Sequence, residues 1–122
     1  MADDLELLQG VWRVVALEID GAAMGASVFA QAEIHIVGNN FKSLGMGAQF
    51  RGKLSLGRRG DRKTFSIAFE EGPEIGRTNH AIYELADTQW KFCLDMHGQA
   101  APDDYSTTPG SGRAVQKLTR KQ

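Results

Sequence analysis

Apolar and polar side chains alternate with a period of two along most of this chain. Residues 33–37, Glu33-Ile34-His35-Ile36-Val37, keep the alternation, and residues 64–69 set Phe65, Ile67 and Phe69 against Thr64, Ser66 and Ala68. Residues 49–56 place Phe50, Leu54 and Leu56 on one face and Arg51, Lys53 and Ser55 on the other. Such alternation predicts strands with one buried face. Residues 11–19 are rich in Val, Ile and Trp, and segments 41–44, 78–85, 89–94 and 113–120 complete the set. The 78–94 pair turns at Ala86-Asp87-Thr88, with Tyr83, Leu85, Trp90, Phe92 and Leu94 as its inner set. Helical signals are confined to two places. Asp3 and Asp4 can cap one or two turns that Gly10 ends, and segment 20–30 is a small-residue loop carrying a helical turn.

About eight short strands without a helical crossover argue for antiparallel pairing of successive neighbours. Closure into a barrel removes the edges that such a meander would leave exposed. The expected fold is therefore all-β, a single domain over residues 1–122, built as an eight-stranded antiparallel up-and-down barrel with a short N-terminal helical turn. A two-sheet sandwich is the alternative, and it would need long Greek-key crossovers in other places. In an up-and-down chain the connections fall alternately at the two ends. The short turns at 38–40, 57–62 and 86–88 share one end, while 20–30, 45–48, 70–77 and 97–112 share the other. One end is thus expected closed and the other dressed with loops, where binding sites on rigid scaffolds concentrate. Trp12 and Arg120 both fall at the closed end and form the expected structural floor. A guanidinium over an indole is a cation–π contact worth about 0.5–2 kcal/mol. The plainer alternative is a core Trp12 beside a frayed Arg120.

Gly10-Val11-Trp12 on the first strand, with Arg120 on the last, resembles the signature of lipocalins and related calycin barrels. A narrower resemblance runs through Leu8-Gln9-Gly10-Val11-Trp12-Arg13-Val14-Val15, Gly72-Pro73-Glu74-Ile75-Gly76-Arg77-Thr78, Ile82-Tyr83-Glu84-Leu85, Phe92-Cys93-Leu94 and Tyr105-Ser106-Thr107-Thr108-Pro109-Gly110-Ser111-Gly112. Over nearly the whole chain, and in the same order, these segments are similar to an uncharacterised lipocalin-like domain family of planctomycetes. The resemblance implies the barrel. It implies no activity and no catalytic residues, because that family has none established.

Composition narrows the function classes. The 122 residues are 42% hydrophobic and 24% charged with a net charge of −1, so neither a basic excess for nucleic acid nor an acidic tail is present. Arg113, Lys117, Arg120 and Lys121 are spread along a strand and read as a solvated face. Cys93 is the one cysteine, which excludes an internal disulfide and a cysteine zinc site. Met1-Ala2-Asp3-Asp4-Leu5 lacks the apolar core of a signal peptide, and no apolar run reaches the roughly 18 residues a membrane helix needs. A soluble, cytoplasmic protein without a membrane span or a nucleic-acid partner is expected.

Candidate chemistry is sparse. His35, His80 and His97 stand in no metal-ligand spacing, so no metal site is predicted. His35 is expected to face outward, while His80 and His97 fall near the loop-rich end, where a shared site stays open. Cys93 reads as a structural thiol, Ser106 and Ser111 lack a nucleophile elbow, and Glu70, Glu71 and Glu74 read as solvated acids. No catalytic residue and no cofactor is predicted, and the chain is read as non-enzymatic. Binding has more behind it. Met24, Phe29, Met46, Met96 and Tyr105 fall in or beside the mouth loops, and Phe50 and Phe69 end inner rows there. His80 lies near them, and Arg77, with Arg51 and Arg113, is placed to meet an anionic head group. Two readings follow: a mouth site for a small apolar or amphipathic ligand, or a non-enzymatic interaction or self-association module, such as a homodimer, with a filled barrel. A dry mouth cavity of about 300 Å³ or more favours the first, and a solid interior with an outer apolar patch the second.

Overall fold

In the computed structural model, which describes residues 3–46, 48–73, 75–96 and 100–121, the chain forms one antiparallel sheet that closes on itself. A single helical turn and a half, α1 (Asp4–Leu8), leads into β1 (Gly10–Ile19). Then come β2 (Ala22–Ala23), α2 (Ala26–Phe29), β3 (Glu33–Val37), β4 (Asn40–Met46), β5 (Ala48–Arg59) and β6 (Arg62–Glu71), followed by β7 (Thr78–Leu85), β8 (Gln89–Asp95) and β9 (Arg113–Arg120). The two residues of β2 only extend β1. The other eight strands make the barrel in chain order, β1 pairing with β3, each later strand with the next, and β9 returning to β1. This is the expected eight-stranded up-and-down barrel. Among the described residues no helix is long and apolar enough to cross a membrane.

The strands run further than alternation alone predicts. β5 and β6 continue pairing through Arg58 and Arg59 to Arg62, leaving only Gly60-Asp61 as the turn. Arginines on a solvent face cost an outer strand nothing, so polarity there did not end it. β1 carries a bulge between Val14 and Ala16. Trp12 and Val14 face inward before it, Leu17 after it, so the inward set changes parity while Val15 is pushed to the surface. A bulge of this kind puts two residues opposite one and tightens the local bend. On the other side of β1 the Val14 N–H donates to the Ala32 carbonyl at 3.1 Å, carrying the pairing with β3 one step past Arg13.

The closed end is built around Trp12. Trp12 is fully buried, donates its indole N–H to the Leu8 carbonyl at 2.9 Å, and meets Trp90 edge-on at 5.7 Å. The Arg120 guanidinium lies 4.3 Å from the Trp12 ring centre. It also donates to the Gln9 carbonyl at 2.7 Å, to the Asp87 carbonyl at 3.1 Å and to the Leu7 carbonyl. The last carbonyls of α1 and those of the β7–β8 turn therefore converge on one cation. Above this floor Phe65 contacts Tyr83, Trp90 and Phe92 at ring separations of 5.8, 5.8 and 5.2 Å.

The long connection between β8 and β9 does not stay at the mouth. It runs down the outside of the barrel, where Ala101 and Tyr105 cover Ile82, Cys93 and Val115. Arg59, near the closed end, holds the Ala101 carbonyl at 3.0 Å and pairs with Asp103. The returning half is tied to the β1–β2 hairpin, where the Gly112 N–H donates to Asp20 Oδ1 at 2.7 Å. The outer face of β7–β9 is thus covered at Ile82, Cys93 and Val115.

Candidate ligand-binding cavity

The inner rows are filled from the floor upward until the loop-rich end, where a cavity of about 220 Å³ remains. Phe41 from β4, Phe50 from β5 and Phe69 from β6 form one side, with Phe69 edge-on to the other two at 6.4 and 6.0 Å. Leu17 and Ile19 come from β1, above its bulge, and Leu94 and Met96 from the end of β8. Ile67 and Phe92 reach it from below. Among the described residues, the side chains lining this space carry no charge.

Three polar side chains enter it: Ser43 on β4, Asn79 on β7 and Gln116 on β9. All three are buried, Asn79 at 1% exposure and Gln116 at 9%. The Asn79 Oδ1 and Gln116 Oε1 carbonyl oxygens have no hydrogen-bond partner. Buried acceptors of this kind normally have one, since leaving an amide oxygen dry and unpaired costs roughly 1–3 kcal/mol.

Of the residues expected at the mouth, Phe50, Phe69 and Met96 line the cavity. Met24 and Phe29 pack partly buried against the edge of the core, on the 20–32 segment that spans from β1 to β3, and lie outside the lining. Three expectations need correcting. Tyr105 sits on the outer wall with Lys91 Nζ 4.3 Å from its ring centre, because the apolar outer faces of Ile82, Cys93 and Val115 draw the loop down over them. His80 faces outward too, its Nδ1 2.8 Å from Ser66 Oγ, since strand parity turns Asn79 inward beside it. Arg77 is exposed and outside the lining, and its carbonyl accepts the Phe69 N–H at 2.9 Å. Arg51 and Arg113 form outer ion pairs with Glu71 and Asp104, at 2.7 and 3.2 Å, so neither guanidinium serves the cavity. The side chain of Met46, and His97, lie outside the described residues.

Sequence reasoning missed Asn79, Gln116 and Ser43, although parity pointed to them. Asn79 shares the inner face with Ala81 and Tyr83, Gln116 with Ala114 and Leu118, and Ser43 with Phe41. Polar residues were passed over because an inward row was assumed to be apolar.

Other depressions are larger; one lies on the outer wall and one at the rim of the closed end, where Leu54, Leu56 and Tyr83 meet α1. One of about 370 Å³ is bordered by Asp61, Arg62, Glu84 and Tyr105, and one of about 530 Å³ by Asp3, Asp4, Arg58 and Lys63 beside α1. In the latter, Asp4 accepts from the Tyr83 hydroxyl at 2.7 Å and pairs with Lys63 at 3.0 Å. Burial alone would raise the Asp4 carboxyl, yet the bonds from Tyr83 and Lys63 outweigh it and hold it below its usual range. These contacts fasten α1 to the barrel.

The chain matches no protein-family model, no curated protein and no solved structure. Its chemistry has to be read from its own residues. Among the described residues no three or more His, Cys, Asp and Glu gather as a metal site. Cys93 is fully buried, and that burial pushes its thiol up to about 11, far from the thiolate a nucleophile requires. What the interior offers is shape, aromatic walls and amide oxygens.

Proposed function

We propose that this barrel binds a small, largely apolar molecule at its loop-rich end, as lipocalin-like carriers and sensors do. The supporting observation is the interior cavity of about 220 Å³, formed where the filled rows of the barrel stop. It falls short of the about 300 Å³ set above as favouring this reading, and of the roughly 300–1,000 Å³ of a site for drug-sized ligands, so it restricts the occupant to a smaller molecule. An apolar cavity of about 150 Å³ holds benzene, so by proportion the occupant has about nine non-hydrogen atoms. That favours a single ring over a long acyl chain. The uncharged lining argues against an anionic head group, which would be stripped of water with no cation to meet it.

The interaction-module reading has less behind it. The large apolar side chains that remain exposed, Leu7, Val15, Val28, Val37 and Ile75, sit on separate elements rather than on one strand face. Native mass spectrometry of the purified chain, with denaturing extraction of anything that travels with it, tests the proposal. A stoichiometric adduct of about 100–200 Da is expected, and Ala114→Phe, which projects into the cavity, should abolish it while the protein stays folded. An adduct that survives Ala114→Phe would place the ligand elsewhere and overturn the proposal.

A further inference from the structure

We infer that the ligand is uncharged and carries at least one O–H or N–H donor, which it presents to the amide oxygen of Asn79 or of Gln116. This rests on the mouth-cavity reading above and adds the chemical class of the ligand. Asn79 and Gln116 line the cavity and are each at least nine-tenths buried, and their Oδ1 and Oε1 acceptors, closed off from bulk water, have no donor from the protein. They stand on β7 and β9, either side of β8, so they mark one wall of the barrel as hydrogen-bonding. Phe41 and Phe50 come from β4 and β5, across the ring of strands from β8 and β9, and set two aromatic rings on the facing wall beside the hydroxyl of Ser43. A cavity divided in this way fits a compact molecule with a ring at one side and a donor at the other. A carboxylate brings no donor for these oxygens and, among the described residues, finds no cation in the lining. A bare hydrocarbon would fill the space and leave both oxygens unpaired. A phenol, an aromatic alcohol or an indole satisfies both walls, at about the size the volume allows.

The probes are p-cresol, its isostere p-xylene, which lacks the donor, and the p-toluate anion, titrated into the full chain by calorimetry. A site built to receive a hydroxyl rejects the analogue that lacks it far more strongly than one built on shape alone. Binding of p-cresol should be at least about tenfold tighter than p-xylene, with p-toluate weaker than either. In Asn79→Leu/Gln116→Met, which keeps volume and removes both oxygens, p-cresol should fall to the affinity of p-xylene. Near-ultraviolet circular dichroism from Trp12 and Trp90 reports that the double variant is folded. A variant that does not fold is replaced by the Gln116→Met single variant, for which the same narrowing of the preference is expected. Equal affinity of p-cresol and p-xylene for the unmodified chain, or a preference untouched by the substitutions, would overturn this inference and leave ligand binding standing. Failure of both probes to bind would overturn the ligand reading and this inference together.

Discussion

At the scale of single residues the closed end is the most determined part of the molecule. Gly10 has φ +121°, a backbone conformation that side chains rarely adopt, which calls for glycine at the start of the floor strand. Trp12 fills the space beneath Trp90, and Arg120 covers it while collecting three carbonyls. Trp12→Ala should cost about 3–5 kcal/mol in urea unfolding, as expected for a fully buried aromatic. Arg120→Lys should still cost about 1–2 kcal/mol, because the charge survives but the fork that reaches separate carbonyls does not. A loss under about 1 kcal/mol for Trp12→Ala would contradict the floor. This part was legible in the sequence, since a Gly-x-Trp at the first strand and an Arg on the last carry their chemistry in their residue types. Asn79 and Gln116 were less so, because an amide carries no apolar signal of its own and only its parity with Tyr83 or Leu118 turns it inward.

At the scale of elements, the unforeseen feature is the strap from β8 to β9. Length and glycine content placed it at the mouth. Its path was set instead by Ile82, Cys93 and Val115, apolar residues on the face that alternation had assigned to solvent. The runs Ala81-Ile82-Tyr83 and Phe92-Cys93-Leu94 carried the signal, since strands apolar on successive residues are buried on both faces. Tyr105→Ala should therefore speed labelling of Cys93 by a thiol reagent by about tenfold or more through local opening, and leave ligand affinity at the mouth unchanged. An unchanged labelling rate would mean the strap does not guard the thiol. Alkaline pH provides a second check. Burial raises the Cys93 thiol from an ordinary 9.0 to about 11, so the unfolded chain releases a proton that the folded chain retains. Stability from this group is intact below pH 9 and is lost as pH rises through 11. Burial also raises Tyr83, with Asp4 adding to it, and Tyr105, with Glu84 adding, so their contribution has the same sign. Unfolding midpoints should fall between pH 9 and 11, and Cys93→Ala should flatten part of that fall.

At the scale of the whole molecule, the barrel and its asymmetry followed from strand spacing and connection lengths. What spacing could not give was where the filling stops. That depends on the bulge in β1, which shifts Leu17 and Ile19 into the upper rows, and on three polar side chains where larger apolar ones would have closed the space. The central claim is that this remaining space, rather than any outer groove, takes the ligand. Methyl-resolved NMR during a p-cresol titration tests it most directly. Saturable shifts are expected at Leu17, Ile19, Leu94 and Met96, with Ile82, Val115 and Val28 left still. No saturable shift, or shifts confined to Ile82 and Val115 under the strap, would contradict it.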